Sequence, residues 1–244
     1  MALCAAALLN TALWFVSAWW LAPQPEVETT RHALLWLSAV YVAGCAFRSF
    51  LPMIDVPRYC LHDTALSRIF VGRTVATVAE LAFVGQWALV MHEAGAVRAA
   101  GALLAIIVIA EILSWLAVLT RNDLFHAAEN ALWTLAAAFA AAFLASRWSY
   151  ESAFGRQVIV VAIACAGLYV AFMVAYVVPM YLRRWAPGAA YLSLGEGLRQ
   201  VLKRCTVVRE WAHWRQDAAW LTPYFTAAVW LSIALVHVPS LRNK

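Results

Sequence analysis

The sequence predicts an all-α integral membrane protein, a polytopic helical bundle of seven transmembrane helices with a cytoplasmic interfacial amphipathic helix. Of its 244 residues, 65% are apolar or aromatic and 13% are charged, whereas a soluble domain is about half apolar and a quarter charged. Seven stretches have the ~20 mostly apolar residues that a helix needs to cross a bilayer. These stretches are long and rich in Ala and Leu, which argues against the short alternating strands of an outer-membrane barrel.

The seven predicted spans follow one another closely, so no separate soluble domain remains and residues 1–244 form a single transmembrane domain. The first stretch has no basic start and no small-residue cleavage site, so we expect it to be a retained span rather than a signal peptide. The predicted spans are 3–22, 33–51, 71–92, 98–120, 124–146, 157–182 and 218–237.

Two segments between spans combine charged and large apolar residues, which is typical of chain lying at the membrane interface. Residues 52–70 contain Pro52 and Pro57 among alternating charged and apolar residues. Residues 189–217 repeat apolar side chains at helical spacing with basic residues on the other faces, which predicts an amphipathic helix against the headgroups.

The Lys and Arg residues indicate an orientation, because cytoplasmic loops carry an excess of them. The 18 basic residues divide twelve to six between the two sides, and the side of the N-terminus has the larger share. We therefore expect the N-terminus in the cytoplasm and the C-terminus outside, in a bacterial-type inner membrane or another plasma membrane. Four of the five cysteines fall near the N-terminal side, where a reducing cytosol would keep them as thiols: Cys4, Cys45, Cys60 and Cys205.

Polar side chains on spans three to five fall in the membrane half nearest the N-terminal side, and such groups usually mark a pathway or a site because they are costly in hydrocarbon. Glu80 and Glu111 reach one depth from antiparallel spans, at ~1.5 Å of rise per residue. Offsets of three and four place His126, Glu129 and Asn130 on one face of span five.

One interpretation of this pattern is an enzyme acting on a lipid or lipid-linked substrate in a polar cavity open to the cytoplasm. Glu80 and Glu111 would be the acid–base groups, assisted by His126 and Glu129. Membrane lipid is then the expected partner, and no nucleic acid is expected. The substrate would be bound by Arg residues that hold an anionic head and by two further polar side chains: Arg48, Arg58, Arg68, Arg73, Arg121, Asn130 and Tyr176.

Three other interpretations stay open. In the first, Glu80, Glu111, His126 and Glu129 hold a divalent metal, since the His-x-x-Glu pair resembles half of a di-iron carboxylate set in reversed order. In the second, Glu80 or Glu111 couples protons or cations in a small transporter. In the third, the polar groups only hold helices together, as intramembrane hydrogen bonds commonly do. The sequence does not decide whether the protein is an enzyme.

Overall fold

The prediction of a helical membrane protein is confirmed by a computed structural model, which describes residues 2–21, 29–148, 153–203 and 205–238. Within these residues, six helices are long and apolar enough to cross a membrane. Arg204, Arg242 and Lys244, which entered the charge comparison, lie outside the described residues. The six spans are Ala2–Leu21, Thr29–Phe50, Ile69–Glu93, Val97–Thr120, Asp123–Ser146 and Ile159–Arg184.

The seventh predicted span falls in a long helix at the end of the described chain. This helix runs from Trp211 to Val236, but its apolar part, Leu221–Val236, is shorter than the six spans above. Pro223 lies inside the helix, where it removes one backbone donor. The count of seven spans therefore stays a prediction.

The helices are numbered in chain order, and most bounds lie within a few residues of the predicted ones. They are α1 (Ala2–Leu21), α2 (Thr29–Phe50), α3 (Ile69–Glu93), α4 (Val97–Thr120), α5 (Asp123–Ser146), α6 (Ala153–Phe172), α7 (Val178–Arg184), α8 (Leu194–Val201) and α9 (Trp211–Val236). Three short strands are β1 (Met53–Ile54), β2 (Tyr59–Cys60) and β3 (Thr206–Val207).

The sixth predicted span is interrupted by a π-helical turn, Met173–Val177, between α6 and α7. In this turn the Val178 N–H bonds the carbonyl of Met173, five residues earlier. Pro179 follows directly and has no N–H to give to the carbonyl four residues before it, so a regular α-helix could not continue unchanged. The proline thus explains why the wider turn forms here.

The amphipathic segment predicted over 189–217 is helical over a shorter length than expected. Only α8 forms, and it is followed by β3 and then by the start of α9 at Trp211. Thr206 and Val207, both β-branched, leave the helix and pair with β2 instead. The apolar spacing that suggested one helix is therefore shared among a helix, a strand and the beginning of another helix.

The chain divides into two compact units. Unit 1 contains Met1–Val90 and Leu198–Pro239, and unit 2 is centred on Met91–Gly197. Unit 1 accordingly holds α1, α2, most of α3, the three strands and α9, while unit 2 holds α4 to α7. The prediction of a single domain stays a prediction.

Unit 1 packs four helices around a core of Tyr41, Val42 and Cys45 from α2, Ala79 from α3 and Val229 from α9. A Cβ atom at Gly44 would lie 2.5 Å from the Cβ of Ala79. The absence of a side chain at Gly44 therefore lets α2 and α3 approach closely, as small residues do in membrane helix pairs.

A polar network fixes α3 between two neighbours in unit 1. The amide nitrogen of Gln86 donates to the carbonyls of Leu34 and Ser232, each at 3.0 Å. The Ser232 hydroxyl lies 2.6 Å from the Gln86 amide oxygen and 3.0 Å from the Ser38 hydroxyl. Gln86, Ser38 and Ser232 are fully buried, so this network serves to hold helices together.

In unit 2, α5 packs against α4, α6, α7 and the π-helical turn. A short turn at Arg121 and Asn122 joins α4 to α5. Arg121 adopts a left-handed conformation (φ 59°), and its N–H bonds Ala117 O to close α4. The Asn122 side chain accepts a hydrogen bond from Leu124 N and so caps the beginning of α5.

Candidate functional site

The candidate site in unit 2 centres on a buried histidine–carboxylate pair at the beginning of α5. The Nδ1 atom of His126 lies 2.9 Å from Oε2 of Glu129. The offset of three residues places both side chains on one face of the helix, as the sequence predicts. Only 8% of each residue is exposed, so the pair is largely removed from solvent.

Two side chains of α7 extend this pair. The Tyr181 ring stacks on the His126 ring, with centroids 4.9 Å apart and planes 29° from parallel. The Arg184 guanidinium carbon lies 6.0 Å from the centroid of the Tyr181 ring, within the range of a cation–π contact. The result is a continuous series from Glu129 through His126 and Tyr181 to Arg184, which we call the His126 stack.

The contact with Glu129 assigns different roles to the two nitrogens of His126. A carboxylate accepts hydrogen bonds, so a neutral imidazole beside it carries its proton on Nδ1. The lone pair is then on Nε2, and among the described residues Nε2 has no hydrogen-bond partner. An imidazole oriented by a carboxylate, with its other nitrogen open, is the arrangement that general-base catalysis uses.

Two polar residues continue this face of α5 toward the middle of the helix. The Asn130 amide donates to the His126 carbonyl at 2.8 Å, and the Thr134 hydroxyl donates to the Asn130 carbonyl at 2.7 Å. Both groups satisfy backbone carbonyls of their own helix. The amide oxygen and the second N–H of Asn130 are left for the predicted role in binding substrate.

Glu111 lies on α4, the helix that packs along α5. It is 4% exposed, and Ser114, on the next turn, is fully buried. In the described part of the chain the Ser114 hydroxyl has no hydrogen-bond partner. A carboxylate and a hydroxyl are thus both buried on one face of α4.

Glu80, the other predicted acid–base residue, lies in unit 1 and is paired with a cation. Arg73 approaches the Glu80 carboxylate at 2.5 Å and also contacts the Thr77 hydroxyl at 3.4 Å. Arg73 is 6% exposed. Because the charge of each group balances the other, this pair is better suited to holding α3 in the membrane than to exchanging protons.

The predicted arginine cluster is divided between structural contacts and the surface. Arg48 pairs with Asp55 at 4.0 Å, and the buried Arg58 donates to the side chain of Gln200. Arg68 and Arg121 are exposed. With Arg73 held by Glu80, the structure leaves Arg68 and Arg121 as the exposed members of the cluster.

Tyr176 lies in the π-helical turn and is 41% exposed. Its ring stacks on Phe172 of the preceding turn, with centroids 5.4 Å apart. The aromatic ring that reaches His126 is that of Tyr181 instead. Pro179 is visible in the sequence as a helix break. Such a break changes the direction in which the side chains after it point, including that of Tyr181.

The metal interpretation receives no support from the geometry. Across the residues that the structure describes, no three His, Cys, Asp or Glu side chains are close enough together to hold a metal ion. Glu111 does not join His126 and Glu129 in such a group within unit 2. The metal interpretation therefore stays a prediction from the spacing.

The chain matches no model of a known protein family, no curated protein and no solved structure. Its class is defined by the fold, which is that of a multi-pass α-helical membrane protein. Its activity is therefore inferred from the chemistry of its own side chains.

Proposed function

We propose that this protein is an integral membrane enzyme that acts on a lipid or lipid-linked substrate by acid–base chemistry at His126. The observation that carries the proposal is the buried His126–Glu129 pair with an open Nε2. In this proposal Glu129 is a positioning residue, which holds the imidazole tautomer and stabilises the imidazolium that forms. Glu111, predicted as an acid–base residue, is kept as a second proton-exchanging group.

The chemistry follows from the position of the open nitrogen. Nε2 takes the proton of a substrate hydroxyl or of water as its oxygen attacks an ester carbonyl or a phosphorus atom. The same proton is then given to the leaving oxygen, so that His126 ends neutral. Proton transfer by a positioned group of this kind contributes about 10²–10⁴-fold to a rate.

The surroundings of the pair favour an amphipathic anionic substrate. Arg183 and Arg184 end α7, and Arg121 lies in the turn before α5. All three are exposed, and guanidinium groups bind phosphates and carboxylates with charge-assisted hydrogen bonds. The pair lies within the first two turns of a membrane-spanning helix, at a depth where a headgroup meets its acyl chains.

A second candidate function is a proton- or cation-coupled transporter, and the π-helical turn favours it. Interrupted helices line the pathways of many transporters, and π turns are frequent at functional sites. In this proposal Glu111, buried on α4, is the coupling carboxylate. The third interpretation, a purely structural role, accounts well for Arg73–Glu80 and for the Gln86 network.

The test uses purified protein in liposomes made from a total lipid extract of the producing cells, with products followed by mass spectrometry. We expect wild-type protein to convert a lipid, His126→Gln to lose about 10²–10⁴-fold of that rate, and Glu129→Gln, which no longer fixes the imidazole tautomer, to lose up to about 10⁴-fold. His62→Gln, on an exposed loop, is the matched control and keeps the wild-type rate.

Two results would count against the enzyme. Equal turnover in the wild-type and His126→Gln proteins would place the chemistry elsewhere. Absence of any lipid product, together with ion flux that responds to a pH gradient and is lost in Glu111→Gln, would instead favour the transporter.

A further inference from the structure

The connections between helices at one end of unit 1 form a small folded cap. The strands are ordered β1-β2-β3. β1 and β2 pair antiparallel in the connection after α2, and β3, from the connection before α9, pairs parallel to β2. The Val208 N–H donates to the Cys60 carbonyl at 2.9 Å. Chain segments far apart in sequence are thus joined outside the helices.

This cap brings two cysteines together. Cys60 and Cys205 are disulfide-bonded, with Cα atoms 5.9 Å apart and a separation of 145 positions in sequence. That Cα separation is usual for disulfides. Cys60 is 1% exposed and Cys205, directly before β3, is half-buried. The other three cysteines, Cys4, Cys45 and Cys165, are free.

We propose that Cys60 and Cys205 form a disulfide in the living cell, and that the end of unit 1 with the cap faces an oxidising compartment outside the cytoplasm. Disulfides persist in such compartments, whereas the cytosol keeps thiols reduced. The bond forms when both thiols pass two electrons and two protons to a protein disulfide of the compartment's thiol oxidant. That oxidant disulfide is thereby reduced to a dithiol.

The position of the cap also orients both termini of unit 1. The thiol of Cys4, near the beginning of α1, lies 3.5 Å from the Ser49 carbonyl at the end of α2, so α1 begins at the cap end. At the opposite end, the Ser17 hydroxyl lies 2.5 Å from Nε2 of His237, just after α9. The proposal therefore places the beginning of α1 outside and the end of α9 at the cytoplasm.

This orientation is the reverse of the one expected from the basic residues. The charge rule describes a tendency during insertion, whereas a disulfide requires an oxidant at the place where the two thiols meet. Moreover, the basic residues near the cap include Arg48, which pairs with Asp55, and Arg58, which is buried beside Gln200. These two charges have a structural role in the cap, so two of the twelve basic residues counted on that side have a reason to be there other than orientation.

The first experiment determines the redox state of the pair in cells. In a variant with Cys4→Ser, Cys45→Ala and Cys165→Ser, cells are quenched in acid, free thiols are blocked with N-ethylmaleimide, and the protein is then reduced and labelled with maleimide-polyethylene glycol. We expect two labels per chain after reduction and none without it. The same background with Cys205→Ser is the control, and it should acquire no label.

If N-ethylmaleimide blocks both cysteines, the protein acquires no label after reduction. That result would show that the thiols are free in the cell and would overturn the proposal. Should the triple variant fail to accumulate, wild-type protein from acid-quenched cells is digested without reduction and analysed by mass spectrometry. A peptide pair joined through Cys60 and Cys205 supports the proposal, and alkylated Cys60 and Cys205 peptides contradict it.

The second experiment measures orientation in a bacterial inner membrane. A green fluorescent protein fused after residue 244 should fluoresce, and alkaline phosphatase fused at the same place should be inactive, because both then lie in the cytoplasm. An active phosphatase with a dark fluorescent fusion would overturn the proposal. Neither experiment depends on the chemistry of His126, so the proposed function can fail while this inference holds.

Discussion

The polar side chains of the spans differ in how fully their hydrogen-bonding atoms are used by neighbouring groups. The carboxylate of Glu80 is matched by Arg73, and the amide of Gln86 is matched by backbone carbonyls and Ser232. His126 differs, because its pairing with Glu129 uses one ring nitrogen and leaves the other open. The arrangement of the partners, rather than the residue type, therefore separates structural groups from the candidate base.

The Arg73–Glu80 pair leads to a stability prediction. Glu80→Gln removes the negative charge that the buried Arg73 contacts, so we expect the free energy of unfolding to fall by up to about 3–5 kcal/mol. The double variant Arg73→Met/Glu80→Met removes both charges and should recover most of that loss. Unfolding in mixed detergent micelles measures both, and a Glu80→Gln protein as stable as wild type would show that the pair is not structural.

The stability of the folded protein should depend on pH through His237. Burial, and to a lesser extent the nearby Arg31, lower the pKa of His237 below its usual value of 6.5. The unfolded chain then binds this proton at a higher pH than the folded chain does, so stability is full above about pH 6.5 and falls as the pH drops through that value. His237→Gln should remove this part of the decline in thermal midpoint between pH 8 and pH 5.

The control for His237 is His62→Gln on an exposed loop, which should keep the wild-type decline. An unchanged decline in His237→Gln would mean that the acid sensitivity has another source.

The sequence predicted the His126–Glu129 pair but not the rest of the stack. Two residues three apart on a helix share a face whatever the tertiary structure, so that contact could be read from spacing alone. Tyr181 lies on another helix, α7. The direction of its side chain depends on whether the preceding turn is α-helical or π-helical. The partner of Glu80 was predictable for the same reason of local spacing, since Arg73 is seven residues away on α3.

At the scale of elements, the π-helical turn determines what α7 presents to α5. A π turn contains one residue more than the α-helical path it replaces, and one residue corresponds to about 100° of rotation on an α-helix. The turn therefore sets the direction of every side chain after Val177, including Tyr181 and Arg184.

Deletion of Val174, which is 60% exposed, should convert the turn to regular α-helix. We expect the span to persist while Tyr181 rotates about 100° away from His126. Lipid turnover should then fall with little change in the amount of folded protein in the membrane. Val174→Ala keeps the chain length and serves as the control, and a deletion variant with wild-type turnover would show that the stack is dispensable.

Helix positions were predictable because bilayer crossing requires a long apolar run, and such a run is visible in composition alone. The segment from 189 to 217 was less predictable because its partner is distant. Thr206 and Val207 form a strand because they pair with the backbone of β2. The sequence of the segment from 189 to 217 contains no feature that predicts this pairing. Local spacing favoured a helix, and the tertiary pairing overrode it for these residues.

For the whole molecule, the hydropathy pattern identified the class of protein but gave no sign of two compact units. Unit 1 combines the beginning and the end of the described chain, with α9 packed against α1 and α2. Contacts between helices far apart in sequence produce no pattern of apolar spacing from which they could be predicted. The disulfide between Cys60 and Cys205 closes this arrangement across 145 residues.

That closure predicts a loss of stability on reduction. A cross-link between distant residues typically contributes about 2–4 kcal/mol, so Cys205→Ser should lower the thermal midpoint of protein kept without reductant. With dithiothreitol present, wild type and variant should unfold at the same temperature. Cys165→Ser, at an exposed free cysteine, is the control. Equal midpoints in the absence of reductant would contradict this prediction.

The Gln86 amide has a consequence for motion. It bonds carbonyls on α2 and α9 at once, so α3 cannot slide along either neighbour without exposing several polar groups to hydrocarbon, each at a cost of a few kcal/mol. Unit 1 should therefore behave as a stiff frame during any working cycle. Whatever displacement that cycle requires is then expected near Pro179, where the backbone pairing is already rearranged.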